Sequence, residues 1–138
     1  MAANTLQEAI GGALAASPGV VSAYLFGSAA AGREHRESDV DLGVLLNRQM
    51  LPHAADRFEM RLRLVGQLQG IAGREVDVVV LNDSPPQLVR RIMTEGRRIF
   101  VADAAVDHAH LRTMLSRAAD IEPFLRRTRA VKLAALTR

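Results

Sequence analysis

Two short polar motifs lie between residues 25 and 46, and they constrain the fold more than any other stretch. Gly27 and Ser28 follow an apolar run, and Asp39 and Asp41 stand at the start of a second apolar run, with ten residues between Ser28 and Asp39. Runs rich in valine and leucine favour strands, and glycine marks the turns between them. The stretch therefore predicts two strands whose polar ends carry a glycine turn and a pair of carboxylates.

The remaining chain alternates helical and strand patterns. Helices are predicted over 5–16, from Pro52 to about Gly70, over 84–96 and from Asp103 to the C-terminus. Strands are predicted over 20–26, 40–46, 75–81 and 97–101. We expect Ser84 and Gln87 to form a capping box, and Pro123 to kink or divide the last helix. This order indicates a mixed α/β (α+β) domain, with a small mixed sheet of about four strands flanked by helices.

Composition limits the class of protein. The 138 residues fit one domain, and the chain has no cysteine, so disulfides and thiolate metal sites are excluded. The N-terminal segment lacks a basic region before its apolar part, so neither a signal peptide nor a membrane span is expected, and we expect a cytoplasmic protein. Residues 1–83 carry 7 basic and 10 acidic side chains, whereas residues 84–138 carry 11 and 5. The basic C-terminal region fits an acidic partner, a nucleic acid or a solvated helix face.

Three aspartates are candidate metal ligands. Side chains two residues apart in a strand point the same way, so Asp39 and Asp41 share a face. Asp77 occupies a similar place near the start of another predicted strand, and neighbouring strands would bring the three carboxylates together. Hard cations such as Mg²⁺ take carboxylate oxygens and complete their shell with substrate phosphates. Such a site suits two-metal phosphoryl or nucleotidyl transfer.

The Gly-Ser motif complements these aspartates. Gly27 permits close approach of the backbone to a phosphate, and a helical turn starting there would offer free N–H groups. Ser28 adds a hydroxyl donor, although a serine in this place is more commonly only a helix cap. The motif therefore predicts a phosphate cradle beside the aspartates.

Taken together, Gly27-Ser28, the ten-residue gap, Asp39-x-Asp41 and the distal Asp77 resemble the signature of the DNA polymerase β-like nucleotidyltransferase superfamily. The resemblance is greatest to its minimal nucleotidyltransferase (MNT) branch and covers about residues 20–100. More loosely, the last helices resemble those of MNT antitoxins from HEPN/MNT toxin–antitoxin pairs. The resemblance implies a polymerase β-like fold with C-terminal helices. It divides the chain into a nucleotidyltransferase domain at 1–102 and a helical extension of that domain at 103–138.

The same resemblance implies a function and a set of site residues. Asp39 and Asp41 would bind two Mg²⁺ ions, Asp77 would join one of them, and Gly27 and Ser28 would hold the triphosphate of ATP. The protein would transfer AMP from ATP to a tyrosine of a partner HEPN toxin and act as its antitoxin. Glu75, on the same face as Asp77, is the alternative third carboxylate, and the family pattern favours Asp77.

One departure from the family pattern supports a second hypothesis. The family usually has an arginine before the glycine of GSxARG, whereas this chain has Ala31, with Arg33 or Arg36 as partial replacements. A non-catalytic antitoxin that binds its toxin through the C-terminal helices is therefore the alternative. Those helices have an apolar stripe that suits either a partner or their own sheet. Nucleic-acid binding is not expected, because aromatic stacking platforms are scarce.

Overall fold

The computed structural model describes residues 3–27 and 39–136, and it contains four strands and four α-helices. In chain order the elements are α1 (Ala3–Ala15), β1 (Val20–Phe26), β2 (Val40–Leu46), α2 (Ala54–Ala72), β3 (Val76–Val80), a 3-10 turn (Leu81–Asp83), α3 (Pro86–Glu95), β4 (Arg97–Val101) and α4 (Ala104–Leu136). The predicted bounds of β1, β2 and β4 agree with the structure, and β3 is one residue shorter at each end. The mixed α/β architecture is confirmed.

The four strands form one mixed sheet in the order β3-β2-β1-β4. β1 pairs antiparallel with both β2 and β4, whereas β2 and β3 run parallel and are connected through α2. Parallel neighbours require a crossover, and α2 supplies it. The start of β2 therefore lies beside the start of β3 and beside the end of β1.

Helices cover both faces of the sheet. Alternate residues of β2, namely Val40, Leu42, Val44 and Leu46, pack in one apolar cluster with α1 and α2. The opposite face of the sheet forms a second cluster with α3 and the first half of α4. Because Asp41 lies between two residues of the first cluster, the alternation of side chains along a strand places it on the α3 side. Among the described helices, none is both long enough and apolar enough to cross a membrane.

The buried face of α2 differs from the one that helical spacing predicts. That spacing predicts a core-facing stripe of Phe58, Leu62, Val65 and Leu68. Leu68 is buried and Val65 packs against the core, but Phe58 and Leu62 have 53% and 52% of their surface exposed, and Met60 and Leu64 are buried in their place. The same spacing predicts that Arg57 faces away from the core, but this residue is only 5% exposed. Its guanidinium forms a forked contact with Asp83, at 2.9 and 2.8 Å, and donates to the Leu51 carbonyl at 2.9 Å, so its buried charge is compensated.

The start of α3 also departs from expectation, and α4 is not divided in two. Ser84 does not cap α3: its hydroxyl donates to the Val80 carbonyl, and Gln87 donates to the carbonyl of Ala118 in α4. α4 runs through Pro123 as one helix of 33 residues and is not divided. Asp103 does accept the backbone N–H of Val106 at 3.1 Å, as a helix cap should.

A buried polar cluster joins α4 to the sheet. Asp107, only 3% exposed, accepts hydrogen bonds from the hydroxyls of Ser22 at 2.5 Å and Tyr24 at 2.7 Å, and from the Arg98 guanidinium at 3.2 Å. Tyr24 is buried in β1, and its hydroxyl belongs to this cluster. The cluster satisfies polar groups that burial would otherwise leave without partners.

Candidate functional site

The parallel pairing of β2 and β3 brings two of the predicted ligands together. Asp41 and Asp77 are register partners, and both lie on the face of the sheet that α3 covers. Asp39 stands two residues before Asp41 and is exposed. Register places Asp77, rather than Glu75, opposite Asp41, and the Glu75 carbonyl accepts the backbone N–H of Val40. Three carboxylates thus surround the start of β2.

The electrostatics of this cluster are unfavourable without a cation. Partial burial raises the pKa of Asp41 above its ordinary value, and the charges of Asp77 and then Asp39 raise it further. A divalent cation would remove this repulsion, because it offsets the charges that oppose ionisation of Asp41. Carboxylate oxygens are also the donors that Mg²⁺ prefers. The residues present therefore fit a magnesium site.

The carboxylates are neighbours, but their oxygens do not point to one common position. Within residues 3–27 and 39–136, no three acidic or histidine side chains are arranged to hold a metal ion. The carboxylate of Asp77 instead lies 3.5 Å from the guanidinium of Arg61 on α2. The three aspartates are thus candidate ligands, and one of them, Asp77, forms an ion pair with Arg61.

Gly27 lies next to Asp41 at the end of β1. Its φ of +74° is in the left-handed region, and a Cβ added there would lie 2.7 Å from the Asp41 Oδ2. Any side chain at this position would therefore strain the backbone and displace the carboxylate. Ser28, Ala31, Arg33 and Arg36 lie outside the described residues, so the predicted phosphate-binding role of Ser28 stays a prediction.

A cavity of about 520 Å³ opens between this end of the sheet and α3. Gly27 and Asp41 form part of one wall, and α3 with the residue that follows it forms the opposite wall through Leu88, Arg91, Ile92, Glu95 and Gly96. Its size suits a small ligand such as a nucleotide. Of the described residues that line it, Arg91 is the one cation.

Sequence reasoning missed the contribution of α3 and of Arg61. Helical spacing in 84–96 indicated only packing, because the sheet order that places α3 over Gly27 is a long-range property. Arg61 gave no signal in the sequence beyond its place on a polar helix face. A prediction of the strand order would have placed α3 beside the aspartates.

The chain was compared with known proteins. It is 33% identical over 79 residues to the protein adenylyltransferase MntA of Shewanella oneidensis, an alignment of 56% of this chain and 51% of that protein. The match thus spans about half the length of the relative.

Solved structures extend the likeness to nearly the whole chain. A toxin–antitoxin structure with AMP-PNP aligns with a TM-score of 0.70 and 23% identity, over 96% of this chain and 98% of that one. A complex of the tri-AMPylated Shewanella oneidensis HEPN toxin with MNT antitoxin gives a TM-score of 0.65 and 18% identity, over 99% and 100%. At these identities the likeness shows the fold.

A third structure, described as a minimal nucleotidyltransferase, is 31% identical over 70% of this chain and 94% of its own, with a TM-score of 0.54. Residues 8–105 match the family described as Polymerase beta, Nucleotidyltransferase, which includes β1 to β4 and the aspartate cluster. The predicted fold and family are confirmed. The chain belongs to the polymerase beta nucleotidyltransferase family, within its minimal nucleotidyltransferase branch.

Proposed function

We propose that this protein transfers AMP from ATP to a hydroxyl group of a partner HEPN toxin and so acts as its antitoxin. The main support is Asp41, which lies with Gly27 in the wall of a cavity of nucleotide size and pairs with Asp77 on the neighbouring strand. The relative with 33% identity is a protein adenylyltransferase, which favours AMP transfer to a protein. The similar toxin–antitoxin structure contains AMP-PNP, an analogue of ATP, which favours ATP as the donor of AMP.

In this proposal each site residue has a role. Asp39 and Asp41 would hold two magnesium ions together with Asp77, and Gly27 and Ser28 would let the triphosphate approach the backbone. The ions, when bound, offset phosphate charge and stabilise the departing oxygen. The acceptor oxygen attacks the α-phosphorus of ATP, the bond to pyrophosphate breaks, and pyrophosphate leaves. Asp77 assists by drawing the proton from the attacking hydroxyl.

The acceptor, which we propose is a tyrosine, must come from another molecule. The chain has one tyrosine, Tyr24, and that residue is 4% exposed with its hydroxyl bonded to Asp107. A buried phenol cannot reach the α-phosphate in the cavity. A tyrosine acceptor therefore implies a partner chain, which agrees with a toxin as substrate.

The second half of α4 favours a contact function as well. Beyond Glu122 the helix carries exposed apolar residues, with Phe124 64%, Val131 69% and Leu133 63% exposed, and basic residues among them. Such a surface suits an acidic partner. It supports the alternative in which the protein neutralises the toxin by binding alone. We further propose that the chain consists of a nucleotidyltransferase domain at 1–102 and a helical extension of it at 103–138. We also propose that the protein is cytoplasmic.

One experiment separates the two candidates. Purified protein, labelled ATP and Mg²⁺ are incubated with the HEPN toxin, and label on the toxin is measured for wild type, Asp39→Asn and the control Glu59→Gln on the exposed face of α2. AMP transfer predicts that Asp39→Asn abolishes labelling and cell protection, while the control retains both. Labelling that survives in Asp39→Asn contradicts the metal-site assignment.

The binding alternative makes the opposite prediction in cells. An Asp39→Asn/Asp41→Asn variant would still protect, whereas truncation after Glu122 would not. This truncation keeps Asp107, Met114 and Ala118, the buried residues of α4, so a failure to protect would not be due to loss of the core. Protection by the truncated protein and not by the double variant rules out the alternative.

A further inference from the structure

Arg61 reaches the aspartate cluster from the opposite side of the sheet. It belongs to α2, which packs on the face away from Asp41, and its side chain passes the free edge of β3. Its Nε donates to the carbonyl of Val78 at 2.5 Å, and another nitrogen of the guanidinium lies 3.5 Å from Oδ1 of Asp77. One planar group thus contacts the backbone of β3 and a candidate metal ligand on that strand.

This contact can fix the direction of the Asp77 carboxylate. The side chain of Asp77 is 58% exposed, whereas that of Arg61 is 35% exposed. A guanidinium is rigid and forked, so the bond to Val78 sets the place of the nitrogen that faces Asp77. The contact uses Oδ1, and one carboxylate oxygen suffices to ligate a cation.

The positive charge of Arg61 has two opposing effects on a cation beside Asp77. It repels the cation, but an ion pair this exposed is screened by water, so the repulsion is weak. It also orients the ligand, and loss of such a partner typically weakens metal binding by ~10- to 100-fold. Because the bond to Val78 anchors the guanidinium while water screens its charge, we expect the orienting effect to be the larger of the two.

We propose that Arg61 is a positioning residue that holds Asp77 beside Asp41 and thereby strengthens divalent-cation binding. The inference rests on the proposed function, because it takes Asp77 as a metal ligand. Arg61 acts through Asp77, so its effect should vanish when Asp77 can no longer bind a cation as a carboxylate.

The test measures Mn²⁺ binding to the full chain without nucleotide, from the electron paramagnetic resonance signal of free Mn²⁺. The variants are Arg61→Met and Arg61→Gln, which removes the charge but keeps a polar end group. Arg63→Met, on the exposed face of α2, is the control. We expect both Arg61 variants to bind Mn²⁺ about tenfold more weakly than Arg63→Met. In the Asp77→Asn background, adding Arg61→Met should cause no further loss.

Equal or tighter binding by both Arg61 variants overturns the inference alone, as does a further tenfold loss in the Asp77→Asn background. Absence of Mn²⁺ binding by the wild type overturns the proposed metal site and this inference with it. Thermal unfolding of the Arg61 variants should match that of Arg63→Met, which separates positioning of Asp77 from general support of the fold.

Discussion

Asp41 and Asp77 stand opposite each other as register partners on the parallel strands β2 and β3, and both carry carboxylates on the same face of the sheet. Adjacent strands lie about 4.8 Å apart, so the two charges are held close by the backbone itself. The sheet thus keeps a repulsive pair in place. The fold accepts this cost where the proposed chemistry needs negative charge.

Asp41→Asn should stabilise the metal-free protein at neutral pH. The folded-state pKa of Asp41 is raised above 3.8, so its contribution to stability is complete at low pH and is lost as pH rises through that folded pKa. Removing the charge should raise the free energy of unfolding by roughly 0.5 kcal/mol, the scale of a cross-strand pair. Urea unfolding measures it. Added Mg²⁺ should stabilise the wild type and not the variant, and a less stable variant contradicts the prediction.

Gly27→Ala should destabilise the protein and reduce its activity. The positive φ disfavours a Cβ by about 1–2 kcal/mol, and the Cβ would force the Asp41 carboxylate to move. Gly66→Ala is the matched control, because a Cβ there meets nothing within 4 Å and alanine favours the helix by up to about 1 kcal/mol. Thermal unfolding and AMP transfer are measured for both. Gly27→Ala with wild-type stability and activity would refute the need for glycine.

Asp107→Ala should cost about 3 kcal/mol of unfolding free energy. The change leaves the buried hydroxyls of Ser22 and Tyr24 without their acceptor and Arg98 without its partner. Asp120→Ala, on an exposed turn of the same helix, should stay within about 0.5 kcal/mol of wild type. Urea unfolding compares the two. Similar stabilities would mean that the cluster contributes little.

Tyr24 should resist ionisation until the protein unfolds. Burial first, and then the hydrogen bond to Asp107 and its charge, raise the pKa of Tyr24 above 10.0. Its contribution to stability is therefore complete below pH 10.0, the unfolded value, and is lost as pH rises toward the folded value. Because the chain has one tyrosine and no tryptophan, tyrosinate absorbance reports this residue alone. As pH rises, tyrosinate absorbance should appear together with the loss of the circular dichroism signal of the folded protein. Ionisation of Tyr24 near pH 10.0 while the protein is still folded would contradict the prediction.

Local pattern was sufficient for the bounds of most strands and for the position of Asp41 at the start of β2. β1 lies between Gly19 and Gly27, β2 between Asp39 and Asn47, and β4 begins after Gly96, so most of their ends follow from the sequence. The period of two along a strand predicted a shared face for Asp39 and Asp41, and the structure places Asp39 immediately before β2. The pairing of Asp77 with Asp41 required in addition that β3 lie parallel beside β2 in this register.

Long-range contacts decided the rest. The face of α2 was predicted from apolar spacing, yet Arg57 is buried because Asp83, 26 residues away, compensates its charge. Arg61 contacts Asp77 past the edge of β3, and α3 lies over the face that carries Asp41. Both placements could be predicted only from the strand order. Of the two outcomes predicted for Pro123, a kink in α4 or its division, the division is wrong, because the helix runs through this residue.

The length of α4 has a consequence for how the molecule unfolds. At 1.5 Å per residue the helix is about 50 Å long, and its buried residues are all at or before Ala118. Beyond Glu122 it is held by pairs three or four residues apart, such as Arg126 with Glu122 and Arg127 over the Phe124 ring. Such pairs stabilise a helix only slightly, so this segment should unwind at temperatures where the sheet is intact. Helix content would then report occupancy of the distal segment by a partner, independently of catalysis.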